Sequence, residues 1–165
     1  MCDHCGCRDL APVARLMSEH DQLRNLSGEI RDALAADDER DARAHVRDLL
    51  TVLAPHVLRE ERALFPRLRR EVVLSEHVDV LESEHASLYD AVDALGLDAP
   101  AGASSSAPDP GWQSGVVALL DELAAHMEKE DYGLFPAALA TLDGADWDVV
   151  DQWDGTSAYA APVPA

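Results

Sequence analysis

Apolar residues return every three or four positions along four stretches of this chain, the spacing that lines one face of an α-helix. The first stretch, from about Pro12 to Ala36, sets Val13, Leu16, Met17, Leu23, Ile30 and Leu34 on one side, and Pro12 suits a first helical turn. The second runs from about Asp41 to Arg69 with Val46, Leu49, Leu50, Leu53 and Leu64 inward. Pro55 and Pro66 interrupt it and are expected to kink or locally unwind it. The third, about Glu71 to Leu95, carries Leu74, Val78, Leu81, Leu88, Val92 and Leu95, with Gly96 as its stop. Residues 98–111, DAPAGASSSAPDPG, form a polar loop. The fourth stretch, about Trp112 to Ala140, turns Val116, Leu119, Leu120 and Leu123 inward. Beyond Gly144 come Trp147, Trp153 and Tyr159 without a helical stripe, so the tail is expected to lie across the body or against another subunit.

Four long amphipathic helices with mostly short connections predict an all-α fold, an up-down-up-down antiparallel four-helix bundle. The expected division is a Cys-rich segment at 1–10, the bundle at 11–142 and a tail at 143–165. A length of 165 residues suits one core, and scarce aromatics beside abundant Ala and Leu fit packed helices. The formal net charge of −19 argues against nucleic acid or an anionic membrane as partner. No run approaches the ~20 apolar residues of a membrane span, and MCDHCGCRDL lacks the pattern of a signal peptide. A soluble, cytoplasmic protein is expected. Its three cysteines, Cys2, Cys5 and Cys7, are clustered at one end and cannot staple the fold internally.

The chain also repeats itself. Residues 18–23 read SEHDQL and 83–88 read SEHASL, an offset of 65; residues 56–66 read HVLREERALFP and 126–136 read HMEKEDYGLFP, an offset of 70. Each half is thus one helix with a histidine followed by a second with His-x-x-x-Glu. Two such halves, related by a pseudo-two-fold axis, would bring both sets together at the bundle centre. His56 and Glu60 sit one turn apart on a shared face, as do His126 and Glu130. His20 falls in register between Met17 and Leu23, and His85 between Leu81 and Leu88, so all six residues should point inward. Burying two carboxylates without partners costs several kcal/mol each. No Lys or Arg recurs on the inner faces to neutralise them, whereas a metal pair would, and imidazole with carboxylate suits iron.

With its pattern of His20, His56-x-x-x-Glu60, His85 and His126-x-x-x-Glu130 over four helices, the chain resembles the hemerythrin-like (HHE cation-binding) domain across roughly residues 11–140. The resemblance implies two irons per chain. His20, His56, His85 and His126 would be terminal ligands, and Glu60 and Glu130 would bridge, with an oxo or hydroxo group as third bridge. Oxygen-carrying members have an additional histidine one turn before the third-helix ligand, where Leu81 stands here. They also place a carboxylate five residues after the fourth-helix histidine, the place of Asp131. Glu130 faces His126 better and matches Glu60 by the repeat, which leaves Glu61 and Asp131 as supporting or alternative ligands. One histidine fewer leaves more open or water-filled positions, which favours redox reactivity, sensing or metal transfer over simple oxygen carriage.

The remaining candidates weigh less. His45 lies about 16 Å along the helix from His56, and His77 about 12 Å from His85, so neither joins the cluster. Tyr132 is expected to be an ordinary packed tyrosine or to hydrogen-bond near the site. Phe65 and Phe135, in the repeated LFP, are expected to be core residues closing one end of the cavity. Cys2, His4, Cys5 and Cys7 read as a redox-competent segment, a transient metal-handling arm or a plain terminus. The leading expectation is a di-iron protein that binds, senses or reacts with O2, NO or peroxide. The alternatives are a catalase-like peroxide- or NO-consuming enzyme, or an iron donor in iron-sulfur centre repair.

Overall fold

The computed structural model describes residues 10–97 and 110–153; Cys2, His4, Cys5, Cys7, nearly all of the polar loop and Tyr159 lie outside the described residues. Helix α1 spans Ala11–Ala35, α2 Glu39–Arg59, α3 Phe65–Leu68, α4 Val72–Ala94, α5 Pro110–Lys129, α6 Phe135–Thr141 and α7 Gly144–Gln152. A π-helical turn, Glu60–Leu64, joins α2 to α3, and a second, Glu130–Leu134, joins α5 to α6. The four expected stretches therefore become four antiparallel arms: α1, α2–α3, α4 and α5–α6. No strand occurs among the described residues.

Local chemistry sets the ends. After α1, Asp37 takes a positive φ of 55° while Asp38 N–H donates to the Ala33 carbonyl at 2.9 Å, which satisfies carbonyls the helix leaves open. Asp38 then caps α2 by accepting from Asp41 N–H at 3.0 Å. Gly96 (φ 59°) ends α4 in the same way, with Leu97 N–H donating to the Val92 carbonyl at 3.1 Å. The expected stop at Gly96 is where the chain turns. Only glycine adopts that backbone without steric cost.

The winding changes at the two prolines of the repeat. Phe65 N–H reaches back to the Glu60 carbonyl and Phe135 N–H to the Glu130 carbonyl, five residues earlier, one position before Pro66 and Pro136. A proline lacks the N–H that would continue the α ladder and crowds the carbonyl four residues back; a wider turn just ahead of it relieves both. Local unwinding at Pro66 is as expected. Pro55 does not unwind the chain, for α2 runs helical through it.

The core is two apolar clusters with a polar layer between them. One cluster, including Leu23, Ile30, Leu49, Leu53, Val116 and Leu120, fills the end holding the α1–α2 turn. The other, including Leu16, Phe65, Leu68, Val78, Phe135 and Val150, fills the opposite end. The tail lies against the body, one of its two expected placements, but as a helix where the sequence showed no stripe. Residues 144–152 form a helix, capped by Asp143 accepting from Asp146 N–H at 3.0 Å, and Trp147 and Val150 are buried against the second cluster. Arg15 holds it to α1 through Asp151 at 2.9 Å. With two inward residues the segment is too short to show a stripe. No described helix is long and apolar enough to cross a membrane.

Candidate metal centre

The polar layer consists of His20 from α1, His56 from α2, His85 from α4, His126 from α5, and Glu60 and Glu130 from the first positions of the two π turns. Each is at most 2% exposed. All six residues singled out in the sequence are brought together. Donor atoms of His20, His56, Glu60 and Glu130 lie within 4.8 Å of one another, as do those of Glu60, His85, His126 and Glu130. The two groups share both glutamates.

Each imidazole is held from behind by a carboxylate. His20 Nδ1 lies 2.9 Å from Asp131, His56 Nδ1 2.9 Å from Glu19, His85 Nδ1 3.1 Å from Glu61 and His126 Nδ1 3.0 Å from Glu84. An ionised carboxylate only accepts, so each Nδ1 carries the proton and each Nε2 of a neutral ring turns a lone pair inward. Asp131 is in turn paired with Arg24, Glu19 with Arg59, and Glu84 with Lys129. Phe65 stacks on His85 with centroids 5.7 Å apart, and Phe135 on His20 at 5.5 Å. Both phenylalanines are fully buried and close one side of the polar layer, as expected.

Inside the ring of histidines the polar atoms crowd together. The Nε2 atoms of His20 and His56 are 3.0 Å apart. His20 Nε2 lies 3.2 Å from Glu130, His56 Nε2 3.4 Å and His85 Nε2 3.5 Å from Glu60, and His126 Nε2 3.4 Å from Glu130. Yet both carboxylate oxygens of Glu60 and of Glu130, and Nε2 of His85 and His126, are buried with no hydrogen-bond partner. Leaving such groups bare is costly. A spacing of 3.0–3.5 Å is that of donors sharing an ion at bonds of about 2.1 Å. The residues fit a pair of cations.

Without a cation, protons must take up the charge. Burial pushes the His20 imidazole down, but Asp131, Glu130 and Glu60 outweigh it and lift it to about 9. Burial likewise opposes a rise of His85, but Glu60, Glu61 and Glu130 overcome it and lift the imidazole to about 10. His126 is also raised, its burial outweighed by Glu130 and Glu84. Burial works to raise Glu130, but His126 and His20 hold its carboxyl well below the usual range. The metal-free cluster is a protonated one.

The other sequence candidates fall as follows. His45 pairs with Glu29 at 3.2 Å, far from the polar layer, and His77 is exposed. Tyr132 is a correction: at 71% exposed it neither packs in the core nor bonds near the site, because two positions on from Glu130 is the opposite side of the helix. Glu61 and Asp131 support His85 and His20. Glu19 and Glu84, which carry His56 and His126, had no role in the sequence reading. The signal for them was present, since both repeats read Ser-Glu-His.

The chain belongs to the hemerythrin HHE cation-binding family, whose model matches residues 11–138. No curated protein and no solved structure matches the chain significantly.

Proposed function

We propose that this domain holds two irons, bridged by Glu60 and Glu130, and uses them to bind, sense or react with O2, NO or peroxide. The observation that carries the reading is the double membership of Glu60 and Glu130 in the two donor groups, with all four of their oxygens buried and without a hydrogen-bond partner. Iron is favoured because the donors are imidazole and carboxylate, with no sulfur among them. An iron pair supplies a redox-active site at which a small oxidant can bind.

The protein residues prepare that site. Carboxylates behind each histidine fix the tautomer and aim Nε2 inward, and they raise the basicity of the ring. The two apolar clusters above and below keep bulk water away and tie the ligand helices together. Leu81 stands one turn before His85, where oxygen-carrying relatives by resemblance have a further histidine, so that corner of the layer is lined by an apolar side chain. A surface cavity of about 280 Å³, bordered by Leu81, Val80, Leu134, His77 and Lys129, opens beside it. A second, of about 180 Å³, reaches His126 itself between α4 and α5. Both favour entry of a small, weakly polar molecule on the α4–α5 side.

The experiment is to load the protein anaerobically with Fe(II) and add O2, NO and peroxide separately while following the near-ultraviolet and visible spectrum. One stoichiometric spectral change per oxidant supports binding or sensing, and sustained peroxide or NO loss supports an enzyme. An iron-loaded protein whose spectrum ignores all three contradicts the proposal. The iron-donor alternative rests on Cys2, Cys5 and Cys7, outside the described residues.

A further inference from the structure

The carboxylates that grip the histidines can be compared across the repeat. Glu19 in the first half corresponds to Glu84 in the second at the offset of 65, and Glu61 to Asp131 at the offset of 70. Their cations correspond too: Arg59 on Glu19 matches Lys129 on Glu84. The fourth place breaks the symmetry. Arg24 neutralises Asp131, but the residue 65 positions after Arg24 is Tyr89. Glu61 is bonded to His85 at 3.1 Å, and among the described residues no lysine or arginine forms an ion pair with it.

The imbalance falls on one side of the cluster. His20 and His56 are backed by carboxylates that each pair with an arginine. His85 and His126 are backed by Glu61, without such a partner among the described residues, and by Glu84, whose partner Lys129 is 52% exposed. An uncompensated carboxylate makes the imidazole it grips a stronger donor and adds net negative charge one ring away from the metal position. Tyr89 feels that charge: burial first and the Glu61 carboxylate second raise its phenol.

Building on the reading that the cluster holds two cations, we propose that its halves are made unequal by the Arg24/Tyr89 difference. The His85–His126 half is the tighter cation site and fills first. Tyr89 and Arg24 act as positioning residues, through Glu61 and Asp131, and touch no metal themselves. The ordering gives the protein a defined one-metal state in which the half facing the α4–α5 cavities is loaded.

The test is a titration of the metal-free protein, labelled with ¹⁵N-histidine, with Co(II), a paramagnetic probe that reports which imidazoles it binds. The wild type is expected to fill in two steps separated by about tenfold in affinity, the low end of the effect of partners behind metal ligands. The first equivalent should shift the His85 and His126 resonances. Tyr89→Arg, which supplies the missing cation, should bring the two steps together, and so should Arg24→Tyr, which removes the other. Tyr89→Phe, still uncharged, should keep the separation. First-equivalent shifts on His20 and His56, equal filling of both halves in the wild type, or an unchanged separation in both charge variants would overturn the inference while leaving a two-metal protein. If Tyr89→Arg does not fold, Arg24→Tyr decides alone. A protein that takes up no Co(II) would overturn the two-cation reading and this inference with it.

Discussion

His20 Nε2 and His56 Nε2 meet 3.0 Å apart in the middle of the bundle, each ring having already committed its Nδ1 proton to a carboxylate, Asp131 or Glu19. Two lone pairs at that distance repel. Either a proton or a cation must lie between them, so the cluster exchanges protons for metal.

That exchange fixes the pH dependence of the metal-free protein. His20 and His85 have folded-state values of about 9 and about 10, above the ordinary 6.5. A raised value means the folded state binds the proton more tightly, so the stabilisation is complete below pH 6.5 and is lost as pH climbs through 9 and 10. The melting temperature of the metal-free protein should therefore fall between neutral pH and pH 10. Calorimetry in buffers of different ionisation enthalpy should show protons released on metal uptake at neutral pH. A flat melting profile with no proton release would contradict this.

Asp131 and Tyr132 are neighbours with opposite predictions. Asp131→Asn keeps an acceptor for His20 Nδ1 but loses the charge and the pairing with Arg24. It should weaken metal binding by about 10- to 100-fold with little change of fold, read from a competition with a chelator. Tyr132→Phe, at an exposed position, should change neither metal affinity nor melting temperature.

Trp147 anchors α7 on the cluster that contains Phe65 and Phe135. Trp147→Ala should cost about 3 kcal/mol in a urea unfolding curve, the low end for a large buried aromatic. Phe135→Ala, which also frees the face of His20, should cost about 3–5 kcal/mol and lower metal affinity as well. Equal metal affinity in Phe135→Ala and wild type would show that the stacking does not position the ring.

How far the sequence could be read follows from the physics of each feature. The four arms were legible because long stripes such as Leu74, Val78, Leu81 and Leu88 have few alternative explanations. The six inward polar residues were legible because each keeps the register of its stripe and because the motif occurs twice. The π turns were only hinted at, since Pro66 and Pro136 say that the ladder must break without saying how the backbone adapts. Helix α7 was missed because Trp147 and Val150 are too few to show a period. Glu19 and Glu84 were missed because a glutamate beside a helix histidine reads as solvated surface until the facing helix is in place. Their partners, His56 and His126, lie 37 and 42 residues away.

The central claim is tested most directly by metal content. Protein loaded anaerobically with Fe(II), desalted and assayed for iron should hold two ions per chain, one for each donor group. Glu60→Ala and Glu130→Ala, each removing a residue common to both groups, should hold one or none while keeping the helical circular dichroism of the wild type. A wild-type chain that comes through desalting without metal, or glutamate variants that load as fully as the wild type, would contradict the account.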